Sequence, residues 1–342
     1  MDSGVHLTPV RIKLVAIHAM ENRPTTMSNF SRNAVRATLL AFFFLLGSQV
    51  PTYSQDQSQG TIRVNVNLVL LDATVKTKDG QIKADLKKDD FEVREDGVVQ
   101  KLDVFSRDEL PLDVALVLDL SDSIDPFLEP LREAATVALS ALKPNDQVAL
   151  FTFATEAQLR MPLTKDKNKV ADQITTFIAR GATNINDGIF VAAEYLLKQP
   201  PEGRRVIILI SDDVGTDAGG QGTADIVTEA IASDSVLYNL KIPGDNPAGT
   251  LLHSAMTPGL VNIRKVMDAT GGEMFDVRNV ANLDAVFSAL IQRIKTRYTL
   301  GYYTMANGAQ GKPHKLDVRL ASSFGKKGRD YSILAKNGYY VH

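Results

Sequence analysis

Cysteine is absent from the 342 residues. That single absence removes disulfides, thiolate metal sites, a cysteine nucleophile and a lipidated amino-terminal cysteine. Charge of one sign is also lacking: the formal net charge is −2, so no chain-wide basic field attracts nucleic acid or an anionic membrane. Long apolar runs are scarce. The longest, Thr38 to Gly47, is too short for a membrane span of about 20 residues. A nucleotide loop is missing as well. Gly219-Gly220-Gln221-Gly222 is followed by no Gly-Lys-Ser/Thr and lacks the dinucleotide Gly-x-Gly-x-x-Gly spacing. No Gly-x-Ser-x-Gly elbow surrounds Ser121 or Ser123, and the five histidines show no supporting pattern. Disorder is not the default reading, since 44% hydrophobic and 23% charged residues are ordinary globular values.

What is present begins with a targeting pattern. Arg32 and Arg36 precede the apolar run, and Thr52-Tyr53-Ser54 supplies a small-residue exit. This order of basic flank, apolar core and polar exit is that of a secretory signal peptide cleaved near Ser54, with Met27 a more natural start than Met1. The expectation is a secreted or periplasmic protein with no transmembrane anchor in the mature chain. Residues 1–54 are leader. Residues 55–108 form an amino-terminal β segment, with Ile62, Val64, Val66, Leu68 and Leu70 alternating on one face and turn signals at Asp79-Gly80 and Asp96-Gly97. The acids Asp89, Asp90, Glu95 and Asp96 are explained by turn chemistry without calcium.

From Pro111 strands alternate with helices. Residues 109–297 are read as one α/β domain with a doubly wound, mostly parallel, Rossmann-like sheet. Its helical stripes include Val170, Ile174, Phe177 and Ile178 in one helix, and Ile189, Ala192, Ala193, Leu196 and Leu197 in another. Residues 298–342 return to short alternating strands, with Gly325-Lys326-Lys327-Gly328 as a solvated hairpin tip. The two β flanks are expected to meet in one β-sandwich, with the α/β domain inserted between them.

The chemistry is concentrated after the central strand. Val114 to Leu118 is short and continuously apolar, as a parallel strand covered on both faces should be. It ends at Asp119-Leu120-Ser121-Asp122-Ser123, where one carboxylate and two hydroxyls fall at alternate positions. Ligands bind at the carboxyl ends of such strands, and hard divalent cations want oxygen donors. A strand-end Asp with Mg²⁺ also occurs in phosphoryl-transfer enzymes, but those of the haloacid dehalogenase type need a second Asp where Ser121 stands.

The run resembles the Asp-x-Ser-x-Ser signature of von Willebrand factor type A domains, their metal-ion-dependent adhesion site. The resemblance extends to Thr183 in Gly181-Ala182-Thr183-Asn184 and to Asp212 after Ile207-Ile208-Leu209-Ile210-Ser211. It implies a metal set of Asp119, Ser121, Ser123, Thr183 and Asp212, with Mg²⁺ or Mn²⁺ favoured over Ca²⁺ because the carboxylates are few. The implied partner is a protein that offers an Asp or Glu carboxylate to the metal, and the implied class is a binding module of the bacterial secreted proteins that carry such a domain, not an enzyme. The competing reading is a Mg²⁺-dependent hydrolase or phosphatase using the same Asp/Ser cluster. Ile242 to Gly259, too long for an ordinary connection, is expected to border the metal and select the partner.

Overall fold

The chain divides into two compact units, Met1–Thr61 and Ile62–His342. The computed structural model describes residues 67–107, 110–200, 202–216, 219–243, 257–304 and 313–340. The apolar run at 38–47, the cleavage region and Ile62, Val64 and Val66 lie outside the described residues.

Strands β1 (Asn67–Thr77), β2 (Phe91–Glu95), β3 (Val98–Gln100) and β4 (Leu102–Ser106) precede the α/β core. They do not form a unit of their own. The chain then runs through β5 (Leu112–Asp119), α1 (Leu128–Ser140), β6 (Gln147–Phe153), β7 (Ala157–Thr164), α2 (Lys167–Thr175), α3 (Ile185–Lys198), β8 (Arg204–Ser211), α4 (Thr223–Ala232), β9 (Ser235–Lys241), α5 (Ile263–Thr270), β10 (Met274–Asp276) and α6 (Leu283–Lys295). It closes with β11 (Tyr298–Thr304), β12 (Pro313–Leu320), β13 (Tyr331–Ala335) and β14 (Gly338–Tyr340).

The six-stranded sheet has the order β10-β9-β8-β5-β6-β7. All its pairings are parallel except that of β7, the antiparallel edge strand. Every residue of β5 is buried, which explains its unbroken apolar run: Val114, Leu116 and Leu118 meet α1, α2 and α6, while Ala115 and Val117 meet α3, α4 and α5. From β5 the chain goes to β6 on one side and later to β8 on the other. The point where strand order reverses therefore lies between β5 and β8, the place where doubly wound sheets bind ligands.

The flanking strands build two four-stranded sheets, β13-β1-β11-β4 and β14-β12-β2-β3, each drawing strands from both ends of the chain. Val69, Leu71, Val75, Phe91, Val93, Tyr298, Leu300 and Leu316 from both sheets share one hydrophobic cluster. Polar links tie these sheets to the α/β core. Buried Arg297 donates to Thr74 Oγ1 at 3.0 Å and to the Gly271 carbonyl at 2.8 Å; Glu273 accepts Lys76 at 2.6 Å and pairs with Arg293 at 3.0 Å; Arg204 reaches Asp72 at 3.4 Å.

Several local expectations are corrected. In β1 the buried face is Val69, Leu71, Ala73 and Val75, whereas Leu68 and Leu70 are exposed; apolar residues of both parities occur here, and only pairing between β11 and β13 selects the register. Ile178 is exposed although Phe177 is buried, because α2 ends at Thr175 and the chain turns extended, replacing a period of 3.6 by a period of two. Leu197 is exposed at the last turn of α3, one residue off the stripe ending at Leu196. Gly325 to Gly328 is not a hairpin tip. It lies in a 3₁₀ segment, Ser322–Asp330, that carries the chain from β12 in one sheet to β13 in the other.

Candidate metal centre

Strand β5 ends by burying Asp119 completely. Its Oδ1 accepts the Ser121 amide at 2.9 Å and its Oδ2 accepts the Ser211 hydroxyl at 2.6 Å, so the last residues of β5 and β8 are joined by a side-chain bond. The turn that follows is 3₁₀ from Asp122 to Phe127. It sets the Ser121 and Ser123 hydroxyls 3.1 Å apart. Two of the five expected ligands thus touch, and a third, Asp119, is bonded to the backbone of the first of them.

The second loop is stitched to the first through its backbone. Arg180 N–H donates to the Leu120 carbonyl at 2.6 Å and Asp122 N–H to the Gly181 carbonyl at 3.2 Å. Gly181 N–H donates back to Asp122 Oδ1 at 3.1 Å. Gly181 has φ +106°, a conformation that favours glycine. Thr183, buried, follows two residues later, and Asn184 caps α3 by accepting the Asp187 amide at 3.1 Å.

Asp212 stands one residue beyond β8 and is buried. Its Oδ1 accepts the Val214 amide at 3.0 Å, while Oδ2 is buried without a hydrogen-bond partner. The next residue, Asp213, takes φ +64° and accepts Asn239 Nδ2 on both carboxylate oxygens at 2.9 Å, with Lys241 at 3.7 Å.

Burial drives the electrostatics. It pushes the Asp119 carboxyl up to about 7, against the hydrogen bonds from Ser121 and Ser211 and with the nearby Asp212 adding to the rise. Asp212 is raised by burial too, offset by the Val214 amide and the adjacent Ser123 hydroxyl. Burial lifts Asp213 to about 6. Packing carboxylates this deep is costly unless a cation joins them. The donors fit a hard divalent ion, for they are all oxygen and one buried carboxylate oxygen lacks any partner. Among the described residues no group of three or more His, Cys, Asp or Glu could hold a metal; the candidate set has only two carboxylates and depends on hydroxyls.

Sequence reasoning missed three supporting residues. Ser211 anchors Asp119, Asp122 holds the second loop, and Thr216 joins the second loop to the third by accepting the Thr183 amide at 2.7 Å and donating its own amide to the Thr183 carbonyl at 2.9 Å. Nothing in the spacing pairs Thr183 with Thr216, which are brought together only by the fold. Thr216→Val removes the acceptor for the Thr183 amide. It is expected to weaken Mg²⁺ binding about 10-fold, the usual cost of losing an outer-shell partner, with an unchanged far-ultraviolet spectrum; equal calorimetric affinity would show that Thr216 has no such role. Of the expected selecting loop, residues 244–256 lie outside the described residues.

A cavity of about 490 Å³ opens far from this cluster, at the amino-terminal ends of β8 and β9. Its charged lining is already engaged: Arg204 with Asp72, Lys336 with Asp234 at 2.5 Å, and Arg205 with the Ser233 and Gln199 carbonyls. The strand-end cluster is therefore the better candidate.

Residues 114–215 match the family model described as the von Willebrand factor type A domain. The chain contains such a domain. Domains of this type generally serve protein–protein interaction and adhesion. Inter-alpha-trypsin inhibitor heavy chain H4 from Bos taurus is 31% identical over 145 residues, which is 38% of this chain and 16% of that protein; the Homo sapiens counterpart matches to the same extent. The chain therefore spans about a sixth of the length of these relatives. Among solved structures, a von Willebrand factor type A protein from Catenulispora acidiphila aligns with TM-score 0.46 and 12% identity over 72% of each chain. The von Willebrand factor domain of the type V pili tip protein Mfa5 from Porphyromonas gingivalis aligns with TM-score 0.39 and 14% identity, over 54% of this chain and 95% of its own. Among the described residues no helix is long and apolar enough to cross a membrane.

Proposed function

We propose that the type A domain of this chain is a divalent-metal-dependent protein-binding module working outside the cytoplasm. The observation that carries the reading is the grouping of Asp119, Ser121 and Ser123 at the reversal point between β5 and β8, with Asp212 close to Asp119 and Ser123 and its Oδ2 buried without a hydrogen-bond partner. Asp119 and Asp212 would balance the charge of Mg²⁺ or Mn²⁺, and Ser121, Ser123 and Thr183 would supply neutral oxygens. An ion held by these residues would supply a Lewis-acid contact for an Asp or Glu carboxylate of the partner protein. The domain is thus a receptor and not an enzyme. A phosphoryl-transfer role lacks its second acid, because position 121 is a serine that contacts Ser123.

Calorimetry with Mg²⁺ tests the site: one binding event is expected, abolished in Asp119→Ala and weakened in Thr183→Ala. Equal binding by wild type and Asp119→Ala would refute it. Phosphate-ester turnover in Mg²⁺ is expected to be no higher for wild type than for Asp119→Ala, and a clear difference would restore the hydrolase reading. For location, the mature protein is expected to begin near Gln55, and amino-terminal sequencing that finds the leader retained would contradict it.

A further inference from the structure

Residues 177 to 180 alternate in burial, Phe177 and Ala179 being buried while Ile178 and Arg180 face outward; half-buried Gly181, at φ +106°, then turns the chain, after which Ala182 is exposed and Thr183 buried. From 177 to 180 this is the signature of an extended strip seated on the protein by every second side chain. Its backbone is pinned at Arg180 to Leu120 and at Gly181 to Asp122. The exposed row of Ile178, Arg180 and Ala182 is therefore held by these backbone bonds just ahead of Thr183, one of the candidate ligands.

Two members of that row have chemistry to spare. Ile178 is 73% exposed, more than any other large apolar side chain among the described residues. A lone exposed isoleucine would need no explanation, but this one lies in register with an exposed arginine. Arg180 makes no ion pair or side-chain hydrogen bond among the described residues, whereas Arg132, bonded to the Phe177 carbonyl, and Arg160, bonded to Thr152 at 2.8 Å, are both engaged. On the described loops around the candidate site Asp122, Asp125 and Glu156 are exposed acids, and the cation Lys241 is already paired with Asp213 at 3.7 Å. Arg180 is thus a single unneutralised cation on an otherwise acidic rim.

We propose that the row Ile178, Arg180 and Ala182 selects the partner, and that it fits an acidic segment carrying two acids and one large apolar side chain. One acid reaches the metal, the second pairs with Arg180, and the apolar side chain covers Ile178. This rests on the metal-dependent reading above and deepens it. At about 3.4 Å per extended residue, Arg180 lies no more than about 10 Å along the strip from Thr183 and Ile178 no more than about 17 Å. The partner's second acid accordingly sits within about three residues of the metal-bound one, and its apolar residue within about five. Because the strip is already ordered, docking does not spend binding energy on fixing it.

The test is selection of a random dodecapeptide display library on the immobilised full chain in Mg²⁺, with elution by chelator, alongside calorimetry with Mg²⁺ alone. Chelator-released clones are expected to share an Asp or Glu, a second acid and a large apolar residue. With Arg180→Glu the second acid should be replaced by Lys or Arg, and with Ile178→Ser the apolar enrichment should vanish, while Mg²⁺ affinity stays within about twofold of wild type in both. The same consensus from wild type and both variants, or no consensus from a wild type that binds Mg²⁺, overturns the selecting strip. Absence of Mg²⁺ binding by wild type overturns the metal-dependent reading itself, and the strip with it.

Discussion

In chelator, Asp119→Asn is expected to melt about 10 °C above wild type at pH 8, with the gap closing as the pH falls towards 5. Burial raises the folded carboxyl from 3.8 to about 7, so the folded state holds this proton more tightly than the unfolded chain. The associated stability is complete below about pH 4 and is lost as the pH rises through about 7. Such a rise corresponds to about 4 kcal/mol, and about 2 to 4 °C per kcal/mol for a domain of this size gives the shift. Asp212 and Asp213, both raised by burial, act in the same direction. The lowered carboxyls Asp85, Asp96 and Asp166 oppose it only in the acid range. Asparagine keeps both native contacts, its carbonyl accepting from Ser121 and its amide donating to the Ser211 oxygen, but cannot bring a negative charge to a cation. Mg²⁺ should therefore raise the melting temperature of wild type and leave Asp119→Asn where it was. A wild type that grows steadily more stable from pH 5 to 8 in chelator would contradict the assignment, as would an Asp119→Asn protein that responds to Mg²⁺ like wild type.

Gly272→Ala is expected to cost the protein its native state. A Cβ built on Gly272 would fall 1.7 Å from the carbonyl oxygen of Leu237 and 2.7 Å from its carbon, and both are backbone atoms of β9 inside the six-stranded sheet. No rotamer change relieves a clash with backbone, so the turn after α5 must move by roughly an ångström or more to restore ordinary contact distances. That movement would also drag Gly271, whose carbonyl accepts from buried Arg297. The sheet core and the tie to the flanking strands fail together, and the cost exceeds the range of about 1–3 kcal/mol seen for ordinary overpacking. Expression with circular dichroism and a thermal melt checks it: a soluble Gly272→Ala protein melting within about 5 °C of wild type would show that the turn is softer than its geometry implies. Gly220→Ala, with nothing within 4 Å of the added carbon, is the control and should melt with wild type.

Much of the candidate site is legible in the sequence. Asp119, Ser121 and Ser123 are close in sequence, so a single turn after a buried strand suffices to gather them. Asp212 could be placed for the same reason, since it directly follows an apolar run of strand length. Repeating βα grammar identified the doubly wound sheet, because covering both faces of a parallel sheet demands continuous apolar strands such as Val114 to Leu118. Local chemistry of this kind is written in neighbouring residues.

Whatever depends on residues distant in sequence was decided by the tertiary structure. The Ser211 bond to Asp119, the pairing of Thr216 with Thr183 and the joining of Asp122 to Gly181 each cross tens of residues, and no periodicity encodes them. The outward turn of Ile178 follows from where α2 stops, which the amphipathic stripe by itself extended too far. In β1, Leu68, Val69, Leu70 and Leu71 would satisfy either face, and pairing with β11 and β13 chose the odd-numbered one. Sequence by itself determined the elements and the oxygen donors at the end of the central strand. Only the tertiary structure decided which loops are tied together, how deeply the carboxylates are buried and which side chains are left facing a partner, because those depend on register and long-range packing.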